Sequence, residues 1–451
     1  MACYLVTTVY LYRAARRLTR NSLASFVGAL VFILNPNILY LQTTPLSELV
    51  CIATMTMTGY YFLAWAQDDH PNYLIFAAGS TCLATLARYD GWILFPTLLV
   101  FIVIIGWIRH KRWVQIEGNL IVFGVLSGLG IGLWLLWCAT IFGDPLYFQR
   151  GQYSAQAQTA VFLQTHALET YHNLFQSFRY YTWLCIDTVG PILFLLAAFS
   201  FLVFVCRRRL APETFAVLVF LAPFCFYVLS LYSGQANLYV PQVIAANASN
   251  QIFNVRFGTE MVAPVALFLA MLVGQWSPRA FARHWAPIGS CFLAGVIVLQ
   301  TILVVNGGII TLRDGQYGGS CAYAHPINAY LAQHYAGGRI LENIFSSKID
   351  GTETGVELKD IISESSGELW KEALNDPASM VDWIIVRPGL TIDPIVTHID
   401  LQSPAFLSRF TLVDHEQDGI SLFHRKGLPP LPTRPLPAGL LTEHSLCRRG
   451  Q

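Results

Sequence analysis

The sequence predicts an α-helical protein that crosses a membrane about ten times and carries a small α/β domain after the last crossing. Of its 451 residues, 54% are hydrophobic and 12% are charged, a composition typical of chains whose main solvent is lipid. Long apolar runs recur as far as residue 306, and arginine and lysine cluster in every second gap between them. After residue 306 the composition becomes that of an ordinary globular domain.

Nine apolar runs have the roughly 20 residues that a helix needs to cross ~30 Å of hydrocarbon. A tenth, partial run occupies residues 1–12. We therefore predict a multipass domain over residues 1–306, with spans near residues 22–42, 45–66, 72–88, 91–108, 119–142, 182–205, 213–233, 258–275 and 286–306.

The gaps between these runs alternate between cation-rich and cation-poor. By the positive-inside rule the cation-rich gaps are cytoplasmic, so the cation-poor gaps and everything after residue 306 are predicted to face outwards. The net charge of +1 provides no global field to attract nucleic acid. The cation-rich gaps contain Arg13, Arg16, Arg17, Arg20, Arg109, Lys111, Arg112, Arg207, Arg208, Arg209, Arg279 and Arg283, and the cation-poor gaps contain only Arg88, Arg150, Arg179 and Arg256.

The first twelve residues, MACYLVTTVYLY, are a poor signal peptide because they lack a basic region and a cleavage site. They are typical of the cytoplasmic half of a helix that enters from outside. We therefore expect an upstream helix and outer loop to be missing, and a shortened gene model is favoured over a truly short protein. Most cysteines lie in apolar spans, where a free thiol behaves as a small hydrophobe. A bridge between Cys321 and Cys447 in the outer compartment is left open.

Residues 307–426 are predicted to form an extracytoplasmic α/β domain, because Gly307 and Gly308 end the last span. GRILENIF (338–345) and VDWIIVR (381–387) are predicted buried strands. SSGELWKEALND (365–376) is a predicted helix with Ser365 or Ser366 as its N-cap and Asp376-Pro377 at its end. Residues 411–425 are a predicted hairpin that turns at Gln417-Asp418-Gly419, and the proline-rich segment 427–451 is a predicted disordered tail.

The outer loop 143–181 has apolar residues at helical spacing, which predicts a helix in the plane of the membrane surface. Tyr180, Tyr181 and Trp183 follow it and suit the headgroup region. The spaced apolar residues are Val161, Leu168, Tyr171, Phe175 and Phe178.

Four clusters of polar residues occur at the predicted outer face, where charged groups beside apolar spans are candidates for a functional site. The first is NPNILYLQTTPLSE (35–48). Asn35-Pro36 is predicted to break one helix, and Pro45 suits the first turn of the next. Glu48 then gains from the helix dipole, and the alternative is that Glu48 only complements the charge of a helix start.

The second cluster is LARYDGW (86–92), which places Arg88 and Asp90 in the shortest outer turn. One interpretation is that Arg88 binds an anionic headgroup while Asp90 orients it or binds a sugar hydroxyl. The alternative is that the two opposite charges only neutralise each other.

The third cluster is FNVRFGTEMVAP (253–264). Arg256 lies two residues before a predicted span and offers a planar fork of donors to a phosphate at headgroup depth. Glu260 is predicted to hold Arg256 in place. The alternative is that Arg256 only extends its charged group towards water.

The fourth cluster is GDPLYFQRGQYSAQAQ (143–158). Its amide and phenol groups suit carbohydrate hydroxyls, so Arg150, Gln152 and Tyr153 are candidates for binding an acceptor or a sugar. An ordinary polar loop has the same composition. The sequence contains no HExxH, P-loop, GxGxxG or serine nucleophile motif, and no metal ligands are predicted, although outer carboxylates leave a divalent cation open.

The order of these motifs, from NPN and TTPLSE through ARYDGW to NVRFGTEMVAP, resembles multipass glycosyltransferases of the GT-C class. The likeness is to the bacterial family 39-like group, related to protein O-mannosyltransferases and aminoarabinose transferases, and covers residues 1–306. It implies transfer of a sugar from a polyprenyl-phosphate carrier to a glycan, lipid or protein acceptor at the outer face of a bacterial plasma membrane.

The resemblance also implies roles for residues. Arg256 matches the arginine of a late RY-type motif in that group, although Phe257 stands where tyrosine is usual, and Glu48 matches an acidic position of its second outer loop. We assign Arg88 and Arg256 to the donor phosphate and Glu48 and Asp90 to catalysis. The helix and loop that carry the principal aspartate of the group would precede residue 1, so the chain is expected to be inactive unless Glu48 or Asp90 replaces that aspartate.

Two other functions remain open on the sequence alone. A transporter or flippase for a lipid-linked or small anionic substrate would need ionisable residues at mid-membrane depth and two repeated halves. A scaffold whose outer domain binds a partner would need neither. The spans are almost free of charge and the ionisable groups gather at one face, which favours the enzyme.

Overall fold

The chain divides into two units, Met1–Asp314 and Gly315–Gln451. The computed structural model describes residues 1–151, 154–155, 168–240, 242–243, 252–275, 282–315, 326–343, 354–387, 393–415 and 420–436.

In its described residues the first unit is helical apart from its loops and one isolated bridge between Tyr239 and Phe253. Its α-helices are Ala2–Thr19, Ser22–Ile33, Pro36–Leu41, Glu48–Asp68, Pro71–Ala87, Leu94–Ile108, Trp113–Phe142, Tyr147–Arg150, Leu174–Val189, Pro191–Arg208, Pro212–Leu218, Ala222–Tyr232, Val262–Gln275, Ala282–Gly307 and Ile310–Gly315. Three 3₁₀ helices, Tyr89–Ile93, Val219–Leu221 and Val255–Met261, join neighbouring α-helices.

Seven helical segments in the described part of the chain are long and apolar enough to cross a membrane: Glu48–Asp68, Tyr89–Ile108, Trp113–Phe142, Pro191–Arg208, Pro212–Tyr232, Val255–Gly274 and Pro287–Gly315. Six of them coincide with predicted spans. The seventh, Pro191–Arg208, covers only the second part of the predicted span 182–205, which is broken at Gly190-Pro191 because the helix Leu174–Val189 ends there. The other two predicted spans are shorter helices. The run 22–42 is broken at Asn35-Pro36, as predicted, and the run 72–88 forms the 17-residue helix Pro71–Ala87. The predicted polytopic α-helical fold is confirmed.

Three of these segments, Glu48–Asp68, Pro212–Tyr232 and Val255–Gly274, are mostly buried inside the unit, whereas Trp113–Phe142 is mostly exposed. The buried helices pack closely because small residues face their neighbours. A Cβ at Gly28 would lie 2.4 Å from Ala270 Cβ, and a Cβ at Gly59 would lie 2.5 Å from the Phe220 ring. The exposed helix presents apolar side chains such as Val125, Leu129 and Leu136, as a helix in lipid does.

Arginine and lysine side chains bring two of the cation-rich loops, 13–21 and 109–118, to the same loop around Asp68 and Asp69. Arg17 donates to Asp68 at 2.9 Å, across the gap between two loops. Arg109 donates to Asp69 at 2.9 Å, and Lys111 contacts the same carboxylate oxygen. Loops that the charge pattern predicts to share a side of the membrane are therefore neighbours in space.

Pro45 is not in the first turn of a helix, contrary to the prediction. The N–H groups of Thr43 and Thr44 bond to Tyr40 O and Leu41 O, so the chain continues in turns until Ser47. The helix begins at Glu48, which is in its first turn as predicted.

The predicted surface helix of the loop 143–181 is also different. The Asn173 side chain accepts a hydrogen bond from Gln176 N and caps a helix that runs from Leu174 to Val189. Phe175 and Phe178 lie on the exposed face of that helix. Tyr180 and Tyr181 are buried rather than at a headgroup surface, and Val161 lies outside the described residues.

The second unit contains a five-stranded sheet in the order β2-β1-β3-β5-β4. Strands β1 (Ile340–Glu342), β2 (Ile361–Ile362) and β3 (Trp383–Val386) are parallel, and β3 is antiparallel to β5 (Ser421–Arg425), which pairs with β4 (Phe410–His415). Both predicted strands and the predicted hairpin are confirmed, and the turn of the hairpin lies outside the described part. The helices of this unit are Pro326–His334, Glu368–Asn375, Pro377–Met380, Pro394–His398 and Pro404–Arg409.

The predicted N-cap of the helix in 365–376 is wrong. Ser363 caps a 3₁₀ turn, Glu364–Ser366, and the chain then passes through Gly367 with φ +61° before the helix starts at Glu368. The positive φ separates the two elements, so neither Ser365 nor Ser366 precedes the helix directly. The helix ends at Asn375 with Asp376 as its C-cap, as predicted.

The first part of the proline-rich segment contacts the sheet domain. Arg434 N donates to Gln333 O at 2.9 Å, and His334 Nδ1 lies 2.8 Å from Pro432 O. Residues 437–451, including Cys447, lie outside the described ranges, as does Cys321, so the structure does not bear on a bridge between these cysteines.

Candidate functional site

Six charged side chains meet at the end of the first unit opposite the cation-rich loops. They come from four places in the chain: the start of a helix, a tight turn between two helices, a 3₁₀ helix, and the short helix that ends the unit. These residues are Glu48, Arg88, Asp90, Arg256, Glu260 and Asp314, and we call them the charged cluster.

Glu48 joins the two arginines. Its Oε1 accepts from Arg88 Nη1 at 2.9 Å and from Arg256 Nε at 2.8 Å. Its other oxygen, Oε2, has no hydrogen-bond partner among the described residues, and the side chain is only 1% exposed. Glu48 is therefore more than the acidic first residue of a helix, because it is the acceptor shared by both arginines.

Arg88 is the most connected member of the cluster. Its Nε lies 3.1 and 2.9 Å from the two oxygens of Asp90, and its Nη2 lies 3.4 Å from Tyr227 Oη. Burial acts to lower the pKa of the guanidinium, but Tyr227 and the neighbouring carboxylates raise that pKa above its ordinary value. Arg88 and Asp90 do pair with each other, as one interpretation of the sequence proposed, but the pair belongs to a larger network.

The turn that carries these residues is held by backbone packing. Arg88 has an extended conformation after the helix Pro71–Ala87, and Tyr89–Ile93 follows as a 3₁₀ helix. A Cβ at Gly91 would lie 2.3 Å from Ala84 O, so only glycine allows the turn to fold back this closely. The Trp92 indole donates to Thr85 O at 2.9 Å and closes the turn.

Arg256 lies inside the 3₁₀ helix Val255–Met261, not before a regular helix. In addition to Glu48 it approaches Asp314, whose Oδ2 is 3.8 Å from Nη1. Asp314 also accepts from Val255 N at 3.0 Å. With a side chain 33% exposed, Arg256 is more accessible than Arg88 at 20%, so its remaining N–H groups are better placed to reach a ligand.

Glu260 does not hold Arg256, contrary to the prediction. Its Oε1 lies 3.0 Å from Tyr227 Oη and 3.8 Å from Arg88 Nε. The reason is helical geometry: in the 3₁₀ helix four residues separate the two side chains by more than one turn. Arg256 therefore points to Glu48 while Glu260 points to Tyr227.

Tyr227 was not singled out from the sequence. Its ring stacks between Tyr181 at 5.0 Å and Phe257 at 4.9 Å, and its hydroxyl lies 2.6 Å from Asp90 Oδ2. Arg88 and Arg256 lie 5.5 and 5.3 Å from the Phe257 ring. Tyr227 occupies the last turns of an apolar helix, where tyrosine is common at membrane boundaries, so no local signal distinguishes it.

A second, uncharged layer lies behind the cluster. Asn35 Nδ2 and Asn37 Nδ2 both donate to Thr188 O, at 2.9 and 3.0 Å. Asn37 Oδ1 accepts from the backbone N and the hydroxyl of Thr311, at 3.2 and 2.9 Å. The segment at the break Asn35-Pro36 therefore caps the end of the helix Leu174–Val189, next to a second break at Gly190-Pro191. It also positions the short helix that carries Asp314.

The fourth predicted group is only partly described. Arg150 is exposed and lies 4.0 Å from Asp144, and no ion pair joins it to the charged cluster in the described part of the chain. Gln152 and Tyr153 lie outside the described residues. Phe148, two residues before Arg150, stacks on Tyr89 at 5.0 Å, so this segment packs beside the turn that carries Asp90.

A divalent cation has one candidate ligand set in the described part of the chain. Ligand atoms of Cys51, Asp90 and Glu260 lie within 4.8 Å of one another, and all three residues are buried. The Arg88 guanidinium, however, contacts both oxygens of Asp90 and lies 3.8 Å from Glu260. A cation here would face that positive charge, so the set fits an arginine better than a metal ion.

The described residues form a polytopic helical membrane protein with a charged cluster at one end of its bundle. Residues 1–131 match the model of the family described as dolichyl-phosphate-mannose-protein mannosyltransferase. No curated protein matches the chain. The family match and the helical fold support the GT-C class of glycosyltransferases, which use polyprenyl-phosphate sugars. The matched region contains Glu48, Arg88 and Asp90 but not Arg256 or Glu260.

Proposed function

We propose that the protein transfers a sugar from a polyprenyl-phosphate carrier to an acceptor hydroxyl at the outer face of the membrane, with the charged cluster as its active site. The observation that carries this proposal is the single carboxylate oxygen of Glu48 shared by two arginines at the membrane boundary. The family match to residues 1–131 supports a lipid-linked sugar donor, and the cation-poor position of the cluster supports the outer face.

The donor is a phosphodiester whose phosphate gains negative charge when the bond to the anomeric carbon breaks. Arg256 is the accessible arginine and would bind that phosphate through the N–H groups that Glu48 does not use. Arg88, held by Asp90 and Tyr227, would supply a second fixed positive charge. Positive groups placed before the reaction stabilise developing charge without reorganising at that moment.

Glu48 would orient the acceptor. Its Oε2 is buried and has no hydrogen-bond partner among the described residues, so a hydroxyl of an acceptor that reaches the interior of the cluster would complete its hydrogen bonding. As the acceptor oxygen bonds to the anomeric carbon, its proton would pass to Glu48 and the carrier phosphate would leave. Asp90, with both oxygens occupied by Arg88, would orient that arginine instead of acting as a base.

Arg150, Gln152 and Tyr153 remain candidates for the acceptor or sugar side. Support comes from the stacking of Phe148 on Tyr89, which brings the start of this loop beside the turn with Asp90. We further propose that the protein resides in a bacterial plasma membrane and that the domain after residue 306 faces outwards.

The test is sugar transfer by the purified full chain in lipid vesicles that contain a polyprenyl-phosphate sugar. Arg256→Ala and Glu48→Gln are each expected to slow transfer roughly 100-fold or more, because each removes a group that acts on the reacting atoms. Arg179→Ala is the matched control. Arg179 is an exposed arginine that donates a hydrogen bond to Gln176 Oε1 at 3.5 Å, and its removal should leave the rate unchanged. Near-normal transfer in both site variants would refute the assignment.

Removal of divalent cations provides a separate test. Because Arg88 neutralises Asp90, we expect the rate of transfer to be unchanged after treatment with a chelator. A loss of transfer that Mg²⁺ or Mn²⁺ restores would instead favour a metal at Cys51, Asp90 and Glu260.

A further inference from the structure

The contacts of Tyr227 require one proton more than the tyrosine itself supplies. Its hydroxyl oxygen lies 2.6 Å from Asp90 Oδ2 and 3.0 Å from Glu260 Oε1. A tyrosine hydroxyl has a single proton, and an ionised carboxylate only accepts hydrogen bonds. If Tyr227 donates along the shorter contact, to Asp90, then the contact with Glu260 is a hydrogen bond only when Glu260 is the donor.

Asp90 has the partners of an ionised carboxylate. Both of its oxygens contact Arg88 Nε, Oδ2 also accepts from Tyr227, and the Cys51 thiol lies 3.8 Å from Oδ1. A negative charge on Asp90 is therefore compensated by a cation and by hydrogen bonds.

Glu260 has the partners of a neutral acid. It is buried, its Oε2 has no hydrogen-bond partner in the described part of the chain, and the nearest cation, Arg88 Nε, is 3.8 Å from Oε1. A buried ionised carboxylate without such partners is costly, and a carboxyl group in that position is expected to keep its proton.

We propose that Glu260 carries a proton in the resting protein and donates it from Oε1 to Tyr227 Oη, while Tyr227 donates its own proton to Asp90. This arrangement consists of two hydrogen bonds, and no covalent bond is formed or broken in it. Tyr227 is thus a positioning residue that links a neutral acid to the carboxylate that holds Arg88. The charged and titratable groups that face Glu260 are Asp90, Arg88, Tyr227, Cys51 and Tyr181.

The proton has a consequence for ligand binding, and this part rests on the proposed function. Four carboxylates surround two arginines in the cluster, so full ionisation would leave two excess negative charges. If Glu260 is neutral, one excess negative charge remains in the cluster. Binding of a lipid phosphate should therefore be coupled to the proton on Glu260 and weaken as that proton is lost at high pH.

Infrared spectroscopy of the full chain in lipid tests the proton directly. The wild type at neutral pH is expected to show a carbonyl band of a protonated carboxylic acid that is absent from Glu260→Gln and retained in Glu48→Gln. In Tyr227→Phe, which keeps the stacked ring, the band should shift because its hydrogen-bond acceptor is lost. A spectrum of Glu260→Gln identical to that of the wild type in this region would overturn the proposal.

Measurements of lipid phosphate binding at different pH values test whether binding is coupled to the proton on Glu260. The probe is a polyprenyl methyl phosphate, a phosphodiester whose single negative charge does not change over this pH range. Its affinity for the wild type should fall roughly 10- to 100-fold as Glu260 ionises, the effect of one added charge nearby. Glu260→Gln, which resembles the neutral acid, should bind at pH 7 about as tightly as the wild type and lose the pH dependence. Equal thermal unfolding would show that both are folded.

Two failures would be distinguishable. If the wild type binds no lipid phosphate at any pH, the proposed function fails while the infrared result still decides the state of Glu260. If lipid phosphate binds but Glu260→Gln binds it at pH 7 roughly 10-fold or more tightly than the wild type, Glu260 is already ionised at that pH and the inference is wrong.

Discussion

Arg88 and Arg256 share one oxygen of Glu48 but differ in their surroundings. Arg88 joins Glu48, Asp90 and Tyr227, three residues from separate helices, and is the more buried of the two. Arg256 is the more accessible and shares Glu48 with it. The two arginines should therefore contribute differently to stability and to ligand binding.

We predict that Arg88→Ala destabilises the protein more than Arg256→Ala does. Removing Arg88 leaves the buried carboxylates of Glu48 and Asp90 with one partner fewer, at a cost of about 3 kcal/mol, the lower part of the range for a broken buried pair. Arg256→Ala should cost about 1 kcal/mol. Thermal unfolding in detergent measures both, and equal losses would contradict the different roles.

Single residues of the site were partly predictable. A charge beside an apolar span is conspicuous because of its transfer cost, and this rule selected five members of the charged cluster: Glu48, Arg88, Asp90, Arg256 and Glu260. Tyr227 and Asp314 escaped it. A tyrosine at a span end is ordinary, and Asp314 follows the last apolar run by several residues, where charges are common. Their importance comes from partners that are distant in sequence.

Breaks in the helices are the main feature that positions neighbouring elements around the site. The break at Asn35-Pro36 was predicted because proline cannot continue a helix and asparagine caps one. The function of that break was not predictable. Asn35 and Asn37 bond to Thr188 O at the end of another helix, so one break satisfies the backbone of the other.

We expect Asn37→Ala to loosen this connection. It leaves Thr311 N without its side-chain acceptor and removes one of the two donors to Thr188 O, a cost of about 1–3 kcal/mol for buried polar groups. Because Thr311 and Asp314 share a short helix, sugar transfer should also slow. Asn173→Ala, which removes a cap at an exposed helix start, should cost about 1 kcal/mol and leave transfer unchanged. Similar effects of the two variants on transfer would argue against a positioning role for Asn37.

The close packing of two helices leads to a second prediction. In Gly28→Ala the new methyl would lie 2.4 Å from Ala270 Cβ and 2.9 Å from Ala266 O, so the helices Ser22–Ile33 and Val262–Gln275 would have to separate. A loss of about 1–3 kcal/mol is expected for such overpacking. Gly79→Ala, in a helix with no atom within 4 Å of the new Cβ, is the control and should be neutral or slightly stabilising. Unfolding temperatures in detergent would reveal the difference, and equal effects would contradict this packing.

At the scale of the whole molecule, the first unit has two chemically different ends. Two of the cation-rich loops meet through Asp68 and Asp69, and the charged cluster lies at the other end. This separation agrees with alternation of successive helices across a membrane, and the positive-inside rule then places the cluster outside.

The sidedness is testable with short protease sites inserted after Gly143 and after Arg209. In right-side-out membrane vesicles, we expect added protease to cut the first insertion and not the second, because only the cation-poor loop faces outwards. Permeabilised vesicles are the control, in which both insertions should be cut. Cleavage after Arg209 in intact vesicles would reverse the proposed orientation.

The sequence alone predicts the helical membrane fold, the positions of most spans, four of the five described strands of the second unit and five of the six members of the charged cluster. These properties follow from local rules: apolar length, the cost of a charge in lipid, and the periodicity of strands. The contact partners of the charged residues depend on the tertiary structure. Glu48 and Arg256 are 208 residues apart, and Glu260 turns away from its neighbour in sequence to Tyr227. Such pairs depend on how the helices pack, which no local pattern records.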